Sequence, residues 1–329
     1  MLDLHRLRLL RELKHRGTLA AVADALAYTP SAISQQLSVL EAEAGVPLLE
    51  RSGRRVRLTP AAERLVEHTE AILERLEQAR ADLDASAARI GGTVRIAAFH
   101  TTAHAVIPAA LSALASAHPA LRVEVTEREP EASLPGLIAH EFDLALLEEY
   151  PGHPQRRRPE LDYRQLATDP MRLAQPASAP RALANLAGHP WILEPPGTAA
   201  RHWATAVCRA AGFEPDVRYQ STDLLLHLRL VRTGHAVALL PGLLSAGQSA
   251  AGQSDAGRSA AGQSAAGQSD ATQGQADPAR TDPAIHLSDL PGSPARRIYA
   301  ATRRGASQHP ALAAVRQALA AAIKTSSGP

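Results

Sequence analysis

The sequence predicts an α/β protein with a helical N-terminal head, and three observations carry that prediction. Residues 1–60 hold helical periodicities followed by two short apolar runs joined at Ser52-Gly53. A heptad-spaced helix then runs from Pro60 to about Ile90. From Thr93 onward strand-like and helix-like segments alternate, as in a parallel sheet covered by helices.

In the head, Leu4, Leu7, Leu10 and Leu13 recur at core spacing over residues 2–16. Gly17–Glu41 reads as two helices joined by a tight turn, with Leu19, Val22, Ala23 and Leu26 on one apolar face and Ile33, Leu37 and Leu40 on the other. Thr29 fits an N-cap and Pro30 the first helical position. The outer face of the second helix carries Ser31, Ser34, Gln35 and Ser38. Short uncharged polar groups reach base edges and phosphates without a charge to desolvate, as a recognition helix in a major groove requires. The competing reading is an ordinary surface helix of a small bundle. The segment Val46–Pro60 then places two short strands, around Leu48-Leu49 and Val56–Leu58, in the pattern of a wing, with Arg51, Arg54, Arg55 and Arg57 where phosphates would lie.

These residues together resemble the N-terminal domain of LysR-type transcriptional regulators. The matching positions are Gly17-Thr18, Ala23, Leu26, Ala32-Ile33-Ser34, Gln36, Leu40-Glu41, Gly45, Leu48, Arg51 and Leu58-Thr59, in register without gaps. Leu49 stands where the family usually has Phe, Ala62 where it usually has Gly, and Pro30-Ser31 replaces a Gln-Pro order. The resemblance implies a fold of three parts: a winged helix-turn-helix over 1–60, a linker and dimerisation helix over 61–90, and a two-lobed, periplasmic-binding-protein-like α/β effector domain over 91–329. It implies as partners double-stranded DNA, a small-molecule effector and further copies of the chain in a homodimer or homotetramer, with RNA polymerase a further candidate. The alternative is a small-molecule-binding protein or enzyme on the same two-lobed fold with a vestigial head.

Leu65, Thr69, Ile72, Leu76, Ala79 and Leu83 alternate steps of four and three, a seam sustained over nearly three heptads. Packing on its own domain would also explain it. Pairing with a second subunit, chiefly through Leu65, Ile72, Leu76 and Leu83, is preferred, because one winged helix reads too few bases.

In the α/β region strands are expected at Thr93–Ala98, Leu121–Thr126, Asp143–Leu147, Leu161–Ala167, Met171–Ala174, Trp191–Leu193, Val217–Gln220, Ala236–Leu240 and Arg296–Thr302. Helices are expected at Val106–Ser116, Glu131–Ala139, Arg181–Leu186, Ala199–Ala210, Leu224–Thr233 and Pro310–Lys324. From Ala246 to Asp270 a five-residue unit repeats (AGQSA, AGQSD, AGRSA), and the Gly- and Gln-rich composition continues to about Pro283. Such a tract has too little apolar surface to offset its ordering entropy, so about 245–284 is expected to be a disordered insert.

Ligands of open α/β sheets bind beyond the carboxyl ends of strands. The residues there are His100, Thr101 and Thr102 after the first strand, Glu148 and Glu149 after the third, then Gly197, Thr198 and Ser221. Effector contact by His100, Thr101, Thr102, Glu149, Gly197, Thr198 and Ser221 is the expectation. Helix capping by Thr101 or Thr102, and a solvated loop at Glu148-Glu149, are the plainer readings.

The composition bounds the function. Across 329 residues the net charge is +2, but residues 1–60 hold nine Lys or Arg against six Asp or Glu, so the positive balance is local. Arg outnumbers Lys 33 to 2, so a single Arg is weak evidence of function. Aromatics are 3%, so the core is expected to be Ala, Leu and Val. The one cysteine, Cys208, allows no disulfide within the chain and is expected to be buried and inert. Neither a signal-peptide core nor a membrane-length apolar run is seen, and the cytoplasm is expected. His100 and His104 stand four apart without an evident third ligand, so no metal, and no other cofactor, is expected. No nucleophile–base pair stands out, and no enzyme is expected.

Overall fold

The computed structural model describes residues 1–26, 28–52, 55–85, 90–244 and 285–326, with the side chains of 51, 52 and 55 left aside. Arg54, and the repeat tract of about 245–284, lie outside the described residues.

The head folds from its own capping signals. Helix α1 (Leu4–Arg16) starts at Asp3, whose side chain accepts from Arg6 N, and stops at Gly17 with φ +77°. Helix α2 (Leu19–Leu26) is short and buries Val22 and Ala23. Helix α3 (Pro30–Ala44) is capped by Thr29, carries Pro30 in its first turn and ends at Gly45. The three pack through Leu7, Leu10, Leu13, Val22, Ile33, Leu37 and Leu40. Strands β1 (Leu49–Ser52) and β2 (Arg55–Leu58) pair antiparallel as the wing, Leu49 opposite Leu58. Glu41 fastens the wing to α3, its Oε1 accepting from Leu48 N at 2.8 Å and Leu49 N at 3.0 Å.

Helix α4 (Pro60–Ala85) is 26 residues long. Thr59 caps it, accepting from Ala62 N at 3.1 Å while donating to Pro47 O at 2.9 Å. Its buried residues are Ala62, Val66, Thr69, Leu73 and Ala81. Ile72, Leu76 and Leu83 are 44%, 45% and 73% exposed. Leu65 is half-buried against the head.

The C-terminal domain has two lobes. In the first, β3 (Gly92–Ala98) lies parallel between β4 (Leu121–Glu127) and β5 (Leu144–Glu149). Helices α5 (His100–Ala105), α6 (Ile107–Ala117) and α7 (Pro130–Ile138) connect them. Every residue of β5 is buried, because helices cover both sheet faces. The parallel pattern expected from strand–helix alternation holds here and again in the second lobe, where Pro190–Leu193 and Asp216–Gln220 pair parallel. Strand β6 (Leu161–Pro176) joins antiparallel and passes out of this lobe into the second. One 16-residue strand thus replaces the two expected at Leu161–Ala167 and Met171–Ala174. Asp169-Pro170 reads as a break, yet Pro170 only faces Ala295 at the end of that ladder.

The second lobe contains a 3₁₀ turn (Leu183–Leu186), β7 (Pro190–Leu193), α8 (Ala199–Ala210), β8 (Asp216–Gln220), α9 (Leu224–Arg232) and β9 (Ala238–Pro241). Trp191 and Trp203 are buried in its core with Leu173 and Leu239. Strand β10 (Ile285–Asp289), which the neighbouring repeat tract concealed in the sequence, pairs with the lobe-two half of β6. Strand β11 (Ala295–Arg303) then returns between β5 and β6, and α10 (Pro310–Ser326) packs on α6. No described helix is long and apolar enough to cross a membrane.

Head, linker and first lobe touch. Arg11 of α1 is buried and donates to Ile138 O at 3.2 Å from both Nη atoms. Arg303 donates to Leu137 O at 3.2 Å and Asp143 at 3.1 Å, and pairs with Glu77 of α4 at 3.3 Å. At Gly305, φ +85°, a Cβ would stand 2.4 Å from Glu74 O, so only glycine lets the chain approach α4 this closely.

Candidate DNA interface and effector cleft

The amphipathic period of α3 divides its residues cleanly. Ile33, Leu37 and Leu40 are at most 1% exposed, whereas Ser31, Ser34, Gln35 and Ser38 lie open on the other side. Thr29 is the cap: its Oγ1 accepts from Ala32 N at 3.2 Å and stands 3.0 Å from Ser31 Oγ. Ser38 returns its hydroxyl to Ser34 O at 3.1 Å. Gln35 has no hydrogen-bond partner among the described residues, so its amide keeps its donors and acceptor available. The backbone places Arg51 and Arg55 on the wing, opposite Val56 and Ser52. Arg57 is exposed on the same hairpin.

In the C-terminal domain the lobes face each other across a cleft whose floor is charged. At the crossover Arg296 lies opposite Asp169 in the β11–β6 ladder. Its guanidinium, 1% exposed, pairs with Asp169 at 2.8 Å and with Glu148, and sits 5.4 Å over the Phe99 ring. Asp169 also accepts from Leu243 N at 2.9 Å. Burial would lower the pKa of Arg296, but Glu148 and Asp169 hold it above the ordinary value. Two more carboxyls converge here. Glu194, after β7, is pushed up to about 8 by burial and then by Glu148 and Glu129. Glu129, at the start of α7, is pushed up to about 7 by burial and then by Glu148, Glu131 and Glu127. Tyr150, Glu194, Trp203 and His227 border a cavity of about 20 Å³. A larger one, about 200 Å³, lies away from the cleft between Arg11, Glu70, His140, Glu160 and Arg303.

The expected effector residues divide. His100 begins α5 and stands between lobes, Nδ1 3.1 Å from Glu127 and Nε2 3.3 Å from Asp223. Thr101 and Thr102 are buried inside α5, which forms where the sequence suggests a loop, and neither is a cap. Thr102 donates to Phe99 O at 2.8 Å. Glu148 and Glu149 are strand residues rather than a solvated loop: in the β5–β11 ladder they lie opposite Ile298 and Arg297, Glu148 pairs with the Arg296 side chain, and Glu149 pairs with Arg297 and, at 3.1 Å, with Arg157. Thr198 caps α8, accepting from Arg201 N at 3.2 Å, beside an exposed Gly197. Ser221 accepts from Asp223 N at 3.0 Å. Sequence reasoning missed Glu129, Glu194 and Arg296, whose meeting is set by strand order alone. Cys208 is fully buried on α8, and burial pushes its thiol up to about 12, as inertness requires.

Residues 4–63 match the sequence model of the bacterial regulatory helix-turn-helix proteins of the lysR family, and residues 87–254 match the LysR substrate binding domain. The transcriptional dual regulator GltC of Bacillus subtilis (strain 168) is 28% identical over 246 residues, 73% of this chain and 81% of its own. A probable hydrogen peroxide-inducible genes activator of Mycobacterium xenopi is 37% identical over 136 residues, 41% of this chain and 70% of its own. A full-length OxyR variant of Pseudomonas aeruginosa shares the fold with a TM-score of 0.60 at 18% identity, over 97% of this chain and 95% of that one. With helix-turn-helix, wing, linker and two-lobed domain in that order, the chain belongs to the LysR family of transcriptional regulators.

Proposed function

We propose that the chain binds dyad-symmetric promoter DNA as a dimer or tetramer, and that a small molecule entering the cleft changes the relative placement of its subunits. The observation that carries this reading is the exposed, uncharged polar face of α3 beside an arginine-bearing wing. Ser31, Ser34, Gln35 and Ser38 read base edges; Thr29 sets the helix start; Arg51, Arg54 and Arg55 hold phosphates. Residues 1–60 act as head, 61–90 as linker and 91–329 as effector domain.

Exposure of Ile72, Leu76 and Leu83 on one long helix supports subunit pairing there. Leu65, half-buried in the head, extends the seam at its near end. In the cleft, His100, Gly197, Thr198 and Ser221 surround the effector, with Glu129 and Glu194 added to that set, and the buried Thr101, Thr102 and Glu149 support it from behind. Two half-buried carboxyls without a matching cation favour an effector that brings a positive charge or several hydrogen-bond donors.

Footprinting on the DNA flanking the chain's own gene tests the reading. Two protected half-sites, one helical turn of about 10 base pairs or a multiple apart, are expected. Protection of one half-site refutes the linker-helix dimer; no protection by folded protein refutes the regulator at that locus.

A further inference from the structure

His100 and His104 stand one helical turn apart on α5, with ring centroids 4.6 Å apart. The fold supplies the third ligand that the sequence does not reveal. Strand β4 runs parallel beside β3 and ends at Glu127, whose Oε1 is 3.1 Å from His100 Nδ1. One donor atom from each of His100, His104 and Glu127 falls within 4.8 Å of the other two. A tetrahedral zinc ion with bonds of about 2.0–2.2 Å holds its ligands roughly 3.3–3.5 Å apart, so closing this set takes only rotamer-scale movement.

A second observation comes from the other lobe. Asp223 Oδ1 is 3.3 Å from His100 Nε2, the nitrogen that faces away from Glu127. A metal-bound imidazole characteristically donates its remaining N–H to a carboxylate, which fixes tautomer and ring orientation. Asp223 is itself held in place, accepting from Leu225 N at 2.8 Å and Leu226 N at 3.3 Å as the cap of α9. The His100 side chain is 12% exposed, and those of Glu127 and Asp223 are 55% and 53% exposed. The inner imidazole is thus fixed while the outer ligands stay reachable from solvent.

We propose that His100, His104 and Glu127 form a binding site for a divalent transition metal ion of the zinc class at the mouth of the cleft, oriented by Asp223 from the opposite lobe. Two imidazoles and one carboxylate suit zinc or cobalt over magnesium or calcium, which take oxygen ligands. Three protein ligands leave a fourth position to water. On binding, the ion takes the lone pair of His100 Nδ1, any proton there leaving to solvent, and the ring's remaining N–H on Nε2 turns to Asp223 Oδ1, 3.3 Å away. The ion therefore strengthens a contact that bridges the lobes. Its effect on transcription rests on the regulator reading above; the site itself does not. A second cluster, His15, Glu70 and Glu160, offers one imidazole only, and the Arg11 guanidinium close by opposes a cation.

The test uses the untagged full-length chain, stripped with chelator. Calorimetric titration with Zn²⁺ is expected to show one ion per chain, and Co²⁺ to give the visible absorption of tetrahedral coordination. His104→Gln and Glu127→Gln change exposed side chains, and each is expected to weaken Zn²⁺ by more than ~100-fold, with the melting curve of the metal-free protein unchanged. Asp223→Asn keeps the helix cap and is expected to cost ~10–100-fold in affinity at unchanged stoichiometry. No Zn²⁺ binding by folded wild type, or equal binding by the His104→Gln/Glu127→Gln double variant, overturns the site. Footprinting of the chelator-treated protein reads the regulator assignment separately.

Discussion

The head and the effector domain handle charge in opposite ways. The head presents uncharged hydroxyls and an amide to solvent on α3, over a core of aliphatic side chains. The effector domain draws Glu129, Glu148, Glu194, Asp169 and Arg296 into its interior, where the one guanidinium serves Glu148 and Asp169 and two carboxyls are left near or above neutrality. An exposed polar face is satisfied by water until DNA replaces it, so it costs the free protein little. A buried surplus of carboxyl groups is a standing cost, which protonation, a cationic ligand or a change of lobe angle relieves. The first arrangement suits recognition and the second suits response.

The comparison breaks most severely at Arg296. Arg296→Met leaves two buried carboxylates without their cation, and a loss of about 3–5 kcal/mol in urea unfolding is expected, confined to the effector domain. If the variant unfolds at the wild-type urea concentration, the ion triad is not the pin of the crossover.

Glu194 sharpens the same contrast through pH. Its folded pKa of about 8 lies above the ordinary 4.5, so the folded state binds the extra proton. Its contribution to stability is complete below about pH 4.5 and is lost as pH rises towards 8, by on the order of 5 kcal/mol. Glu194→Gln should flatten that loss and stabilise the protein at pH 8.5; parallel pH curves for variant and wild type would remove Glu194 from the cause. The head, lacking such a group, should show no matching change in DNA affinity beyond that of the DNA contacts themselves.

On the head the expected effects are smaller and selective. Gln35→Ala should relax preference at one base pair by about 1–3 kcal/mol and leave other positions alone, as read by binding-site selection. A uniform loss over all sequences would assign Gln35 to the backbone instead. The least effect is expected from replacing 245–284 by a short Gly/Ser linker. Strands β9 and β10 are each held by β6, and closure entropy depends only weakly on loop length, so stability should change by less than about 1 kcal/mol. A marked fall in melting temperature would show that the tract contributes to the fold.

Sequence legibility followed the same division. The face of α3, the wing and the start of α3 at Thr29 and Pro30 depend on neighbours within a few residues, and all were readable. The long helix α4 was readable too, although two of its heptad positions, Leu65 and Thr69, turn inward because the start of α4 also closes the head. In the effector domain most strand positions were visible from apolar runs, and so was the parallel pairing of β3 with β4 and β5 and of β7 with β8, but not the antiparallel pairings. The antiparallel return of β6 and β11, and hence the meeting of Asp169 with Arg296, is a matter of topology. Helix α5 was missed because its cap residue, Phe99, makes no side-chain hydrogen bond. Glu127 and Asp223 gave no local sign of facing His100, since they come from β4 and from the other lobe.

The continuity of β6 has a mechanical consequence. Its 16 residues span about 50 Å at the usual rise per residue, with β11 laddered to the first-lobe half and β10 to the second. Hydrogen-bonded ladders resist sliding but yield to twist, so the pair behaves as a torsion bar clamped at Arg296 and Asp169. Any change in lobe angle would then be a rotation about this one strand pair.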